Sequence, residues 1–319
     1  MTAYTLQRLL YVVVVVWIMS VLIFGITQLL PGNVAYAILG QYATNEQIAE
    51  LERLLGLNDP WYVQYWRWFL GMLHGDFGQS IVMQRPVGPL IFEAFGRSAI
   101  LAAIAISLVA AIGTWLGVHS ATHRGKLSDR VLTLAQYFFI AVPEFFWAIL
   151  AIILFAVWLG WLPATGYTPI GQSGVGRWVA HLILPVATLV CGLIAHVSRL
   201  TRSSMLETLR SAYILTARAK GLPHRLILRR HALPNALLPT ITVLAVDVGI
   251  LIGGVVVVET VFAYPGLGRL LIYAIEHRDI PLLQAGMMLV TTVYALANLG
   301  ADLLYAAVNP RIRYGRSAG

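Results

Sequence analysis

Apolar residues come along this chain in long runs separated by shorter polar intervals, and that alternation predicts its architecture. The first run, residues 9–30, is long enough to cross about 30 Å of hydrocarbon and exceeds the short apolar region of a cleaved signal peptide, so it predicts an uncleaved span. Ala35-Tyr36-Ala37 mimics a signal-peptidase site, and processing there would leave five spans. The further runs cover residues 98–118, 131–161, 181–197, 240–261 and 282–308. The expectation is an all-α, polytopic membrane protein of six transmembrane helices, with a first span at 1–30, a polar region at 31–97, a five-helix core at 98–308 and a tail at 309–319.

The polar region carries helix signals of its own. Thr44 and Gln47 have the spacing of a capping box, Ile48, Leu51 and Leu55 share the face of the helix that follows, and Gly56 suits its end. Asp59 and Pro60 suit the cap and first turn of another helix over 61–73, whose Trp and Tyr content fits a membrane interface. The whole predicts a small lid on the extracytoplasmic side.

A second long polar interval, residues 199–239, is strongly basic. Residues 207–220 hold helix formers without Gly or Pro, and Gly221 stands where a left-handed cap would end a helix. Pro223 suits the start of a second, shorter helix, which Pro234 and Pro239 end or kink. Two short helices meeting at a glycine predict a compact knob with a small tip of Thr216, Ala217, Ala219 and Gly221, rimmed by Arg218, Lys220 and other bases. Such a tip fits a groove on a partner.

Composition sharpens this picture. With 59% hydrophobic and 11% charged residues and a mean hydropathy of +0.77, the chain is a lipid-bilayer protein. Its net charge of +8 comes from Lys and Arg in short segments between spans, which orientation in the membrane explains and nucleic-acid binding does not. Most of the 22 Lys and Arg fall on the side of the termini, which predicts both termini in the cytoplasm. The single cysteine, Cys191, excludes an intrachain disulfide.

Catalytic motifs are missing. There is no G-x-x-x-x-G-K-[ST] loop to cradle ATP phosphates, no G-x-S-x-G and no H-E-x-x-H, and apart from His119 and His123 the eight histidines are scattered along the chain. Glu144, Asp247 and Asp302 lie within apolar runs, where a charge at the bilayer centre costs at least about 2.5 to 3.5 kcal/mol, so they should face the bundle interior. Glu144 follows Pro143, which would interrupt the regular hydrogen bonding of the third span and leave a kink lined by free carbonyls that widens a central path. Asp247 precedes Gly249 and Gly253 at G-x-x-x-G spacing and fits a path or a packed interface equally. Asn298, Asp302 and Tyr305 form a polar stripe that fits a path or a structural hydrogen-bond network.

Ala217, Gly221, Leu233 and Pro234 fall at the spacing of the "EAA" loop, and this interval resembles that of bacterial ABC importer permeases. Leu215 stands where that pattern has Glu. TARAKGL over 216–222 and RRHALPNALLP over 229–239 look like the peptide and nickel branch. Pro31-Gly32, Gly75-Asp76-Phe77-Gly78, Leu184-Pro185, Tyr264-Pro265-Gly266-Leu267-Gly268, Arg278-Asp279 and Asn309-Pro310-Arg311-Ile312 look like further landmarks of its B-type subunits, with Asn33 and Asn309 where Asp is usual. The resemblance implies a type I ABC importer permease of the bacterial inner membrane, without enzyme activity of its own. It implies a homologous C-type permease, two ATP-binding subunits that hold ATP and Mg, and an extracytoplasmic substrate-binding protein. Its coupling loop would be Thr216, Ala217, Arg218, Ala219, Lys220, Gly221, Leu233 and Pro234, and its transport would be alternating access. The rival classes are an ion-coupled secondary transporter, which would place paired charges near the midplane, and a membrane hydrolase.

Overall fold

The computed structural model describes residues 2–29, 44–56 and 58–308. The expectations on Pro31-Gly32, Asn33, the Ala35–Ala37 site and the tail from Asn309 lie outside the described residues, as do those on the side chains of Leu51, Leu55 and Tyr305. Among the described residues there is no strand beyond one isolated bridge, Gln79 to Pro86. Five helices are long and apolar enough to cross a membrane, and a bent pair makes a sixth if it is one span. The chain divides into two compact units, residues 6–97 with 266–296, and residues 98–265 with both chain ends.

In the first of these, α1 (Thr2–Leu29) is apolar all round and leaves Leu10, Trp17 and Leu22 exposed, as a lipid-facing span requires. One polar edge anchors it: Ser20 and the hydroxyl of Tyr65 lie 2.8 Å apart, and Gln284 donates to Thr27 at 2.6 Å. Helix α2 (Asn45–Leu55) starts with the expected capping box and ends at Gly56 with φ 66°. Helix α3 (Trp61–Leu73) has the expected bounds, but Asp59 is not its cap. Pro60 takes that place, and the Asp59 carboxylate instead accepts from Arg67 at 2.7 Å, because the guanidinium is a stronger donor than a helix amide.

The loop before α4 (Val87–Leu108) is fastened by Asp279, which is fully buried. Its carboxylate accepts from the Ser80 hydroxyl and from the amides of Ile81 and Val82 at 3.3 and 3.2 Å. Helix α4 runs through a π-helical turn, Val109–Gly113, into α5 (Thr114–Thr122).

In the other unit the third predicted span is broken rather than kinked. Helix α6 (Leu127–Ala141) meets α7 (Glu144–Ala151, continued by a π-helical segment to Trp158) at 101° across Val142 and Pro143. Helix α8 (Ile170–Leu209) is interrupted at Gly174, φ 77°, and then runs unbroken past Arg199. The first part of the expected arm is therefore the end of a span, and the arm proper begins at Arg210. Gly117 allows α5 to approach α8 closely, since a β-carbon there would lie 2.5 Å from Thr201 Cβ. Asp129, buried at the start of α6, accepts from Arg202 Nε at 2.8 Å and Nη2 at 3.0 Å and from Ser120, which ties the α5–α6 turn to α8.

The single helix expected over 207–220 is two. Ser211 is extended, φ −66° and ψ 151°, and separates α8 from α9 (Ala212–Ala219). The short second helix is corrected too: α10 (His224–Leu226), a π-helical turn over Ile227–Ala232 and α11 (Leu233–Val261) run on as one helical stretch. Proline removes one amide donor, and the preceding π turn, with its i to i+5 spacing, accommodates Pro234 without ending the helix. Helices α12 (Leu267–Glu276) and α13 (Ile280–Val308) complete the chain.

Candidate functional site

Helix α9 and the turn after it present an exposed tip. Thr216, Arg218, Ala219, Lys220 and Gly221 are exposed, and Gly221 adopts φ 74° with its amide donating to the Arg218 carbonyl at 2.9 Å. The Leu222 amide reaches back to the Ala217 carbonyl at 3.3 Å, which closes the left-handed cap. Ala217 does not belong to the exposed tip. It is buried with Ile214 against Met205, Ile227, Ala232 and Ala236, so the face that carries it holds α9 to the neighbouring helices. Leu233 is half-buried and Pro234 exposed, further along the chain on α11. Tyr213 and Leu215, exposed on α9, join the tip as large apolar surface that the alanine pattern did not suggest. A short helix with one buried face and one exposed basic face, mounted on the ends of two spans, can transmit a push between a partner and those spans.

The second element is a cavity of about 300 Å³. Pro143, φ −59° and ψ 146°, turns the chain and starts α7, which puts the Glu144 side chain in the cavity wall. From α8 the cavity receives Thr188, Gly192, His196 and Arg199, whose spacing keeps them on one helical face. Gly254 of α11 meets Glu144 directly: a β-carbon at 254 would lie 2.8 Å from Oε2. Asp247 is fully buried, neither oxygen has a hydrogen bond, and Oδ1 lies 3.4 Å from His196 Nδ1. Asp247 thus reaches the cavity only through His196.

The structure brings Glu144 and the His196–Asp247 pair to one cavity and leaves the other two candidates out. Asn298 and Asp302 are half-buried on α13 and do not line it. His196, Arg199 and Gly254 escaped the sequence analysis. His196 looked like an isolated polar residue in an apolar run, and its spacing of three from Arg199 was the available signal. Among the described residues no cluster of three or more His, Cys, Asp or Glu could hold a metal ion.

Helices of membrane length, a cavity lined by an acid and by bases, and an exposed basic tip fit a transport subunit. The chain belongs to the family described as binding-protein-dependent transport system inner membrane component, which matches residues 113–314, and the N-terminal component of that system matches residues 1–105. It is a multi-pass inner-membrane permease subunit of an ABC importer, and the carrier and hydrolase alternatives fall away. A Brucella abortus protein named as a peptide transport system permease is 39% identical over 98% of this chain and 100% of its own length. The glutathione transport system permease protein GsiC of Salmonella paratyphi A is 38% identical over the same shares. The MetNI methionine ABC transporter, solved in inward-facing conformations, matches in fold with a TM-score of 0.57 and 18% identity, covering 69% of this chain and 96% of that one.

Proposed function

We propose that the chain is the B-type permease of a peptide importer driven by ATP. It would pair with a homologous C-type permease, two ATP-binding subunits that hold ATP and Mg, and an extracytoplasmic substrate-binding protein, with both termini in the cytoplasm. The peptide reading rests on the names of the full-length relatives, and di- or oligopeptides fit it better than nickel for that reason. The observation that carries the coupling mechanism is the tip itself: exposed Thr216, Arg218, Ala219, Lys220 and Gly221 lie on a helix whose other face is packed through Ala217. Closure of the ATPase pair would move α9 as a body and, through its packing, the spans that continue from it, which is alternating access. Glu144 and His196, with Asp247 behind it, are the proposed contributors to the path. Asn298 and Asp302 are assigned to helix packing. Coexpression with a C-type permease, ATP-binding subunits and a substrate-binding protein from the same organism, purification through this chain and reconstitution in proteoliposomes test the reading. ATP-dependent uptake of labelled di- and tripeptides is expected, and purification without an ATPase subunit would overturn it.

A further inference from the structure

The cavity beside the α6–α7 break carries opposite charges at its two ends, and their separation can be read from α11. Glu144 lies at the level of Gly254, whereas His196 lies at the level of Asp247. Those two α11 positions are seven residues apart, about 10 Å along a helix axis. Arg199 lines the same cavity one turn beyond His196. Asp247 holds the Nδ1 side of the His196 ring at 3.4 Å, which leaves Nε2 as the ring nitrogen free to meet a ligand. Between the poles the wall is apolar, with Phe139, Trp147 and Leu193.

An extended peptide advances about 3.3 to 3.6 Å per residue, so three residues span roughly 10 Å from ammonium to carboxylate. The guanidinium fork of Arg199 matches a carboxylate, and the Glu144 carboxylate matches an ammonium. The Glu144 carboxylate at one end and, at the other, the His196 ring with the Arg199 guanidinium one turn beyond it, the Asp247 carboxylate being held behind the ring and out of the cavity wall, therefore suit a zwitterion of about that length.

We infer that this permease itself discriminates among peptides by their free termini, with Glu144 receiving the N-terminal ammonium and His196 and Arg199 the C-terminal carboxylate of a substrate about three residues long. Asp247 is a positioning residue that acts through His196. The inference rests on the peptide reading above and adds a specificity step inside the membrane subunit, separate from selection by the binding protein.

The test uses the complete reconstituted importer and three labelled probes: tri-alanine, N-acetyl-tri-alanine and tri-alanine amide. The binding protein is the same throughout, so its preference cancels when each variant is compared with wild type. Glu144→Gln is expected to slow tri-alanine about tenfold while changing the acetylated peptide less than about twofold, because the latter has no ammonium to lose. Arg199→Gln should do the same for tri-alanine against the amide. Binding is read separately from the quenching of Trp147 fluorescence by tri-alanine in the detergent-solubilised complex, taken as the difference from Trp147→Phe. Uptake in which both variants slow all three probes alike, or none of them, overturns the inference and leaves the transport reading standing. Quenching by tri-alanine that Glu144→Gln and Arg199→Gln each weaken, without uptake of any probe, supports the terminal contacts and overturns the transport reading. Absence of both uptake and quenching overturns both.

Discussion

The carboxylate of Glu144 lies against the backbone of Gly254 so closely that a β-carbon at 254 would sit 2.8 and 3.0 Å from its two oxygens. Glycine at 254 is thus what lets an acid on α7 occupy the cavity wall. Alanine in a helix interior is worth about 0.5 to 1 kcal/mol over glycine, and the obstructing atoms are the far end of a flexible side chain, so the fold should absorb the change. Gly254→Ala is expected to keep or slightly raise the melting temperature of the complex while lowering peptide uptake several-fold through a displaced Glu144. Unchanged uptake would mean that the position of Glu144 does not matter to transport.

At Gly221 the constraint is conformational rather than steric. Its φ is 74°, and nothing lies within 4 Å of a β-carbon built there. Forcing a β-branched residue into that region costs at least about 1 to 2 kcal/mol, and the chain can escape the cost by redrawing the turn. Gly221→Val should therefore leave the complex assembled and the spans folded while uncoupling ATP hydrolysis from uptake. Normal uptake by Gly221→Val would remove the coupling role from this tip.

Local signals in the sequence carried much of the fold. The Thr44–Gln47 box, the Gly56 cap and the bounds of α3 follow from residues within a few positions of one another. The same kind of reasoning failed to carry the helix through Pro234, where a π turn upstream adjusts it in a way that proline alone does not announce, and through Pro239, which the helix carries in its interior. It failed again at the cavity, since the pairing of His196 with Asp247 and the approach of Gly254 to Glu144 are made by tertiary packing between distant segments. Asp279 shows the same limit: Arg278-Asp279 was legible as a landmark, but its bond to Ser80 joins residues 199 positions apart.

The bidentate pair of Asp129 and Arg202 should be the main polar tie between the α5–α6 turn and α8. The carboxylate is 5% exposed and the guanidinium side chain 25%, so removing the cation strands a buried anion, whereas removing the anion leaves a cation that reaches solvent. Arg202→Gln is expected to destabilise by about 3 kcal/mol and to lower the melting temperature more than Asp129→Asn does. Equal losses would show that burial of the carboxylate does not set the cost.

The region of α2 and α3, expected from the sequence to form an extracytoplasmic lid, tests the orientation proposed from the Lys and Arg distribution. Asn45 is exposed at the start of α2. A cysteine placed there should react with an impermeant maleimide added to intact spheroplasts, preferably with Cys191→Ser to remove the native thiol. Labelling that appears only after lysis would put the lid, and with it the termini, on the opposite sides.

Asp247 offers the sharpest separation of stability from function. Its side chain is fully buried, both oxygens lack hydrogen bonds, and its neighbour His196 keeps 40% of its side chain exposed. A buried carboxylate without hydrogen bonds is a net cost, and an asparagine of the same shape carries less of it. Removing the anion also strands no partner, because the His196 ring can turn to the cavity and to water. Asp247→Asn is therefore expected to hold or raise the melting temperature, by the equivalent of about 1 kcal/mol, while slowing peptide uptake because the His196 ring loses the contact that orients it. His196→Gln in the same background should then add little, since the two residues act through one another. A fall of several degrees in melting temperature for Asp247→Asn would show that attraction to His196 outweighs the cost of burial and that this carboxylate is chiefly a structural partner.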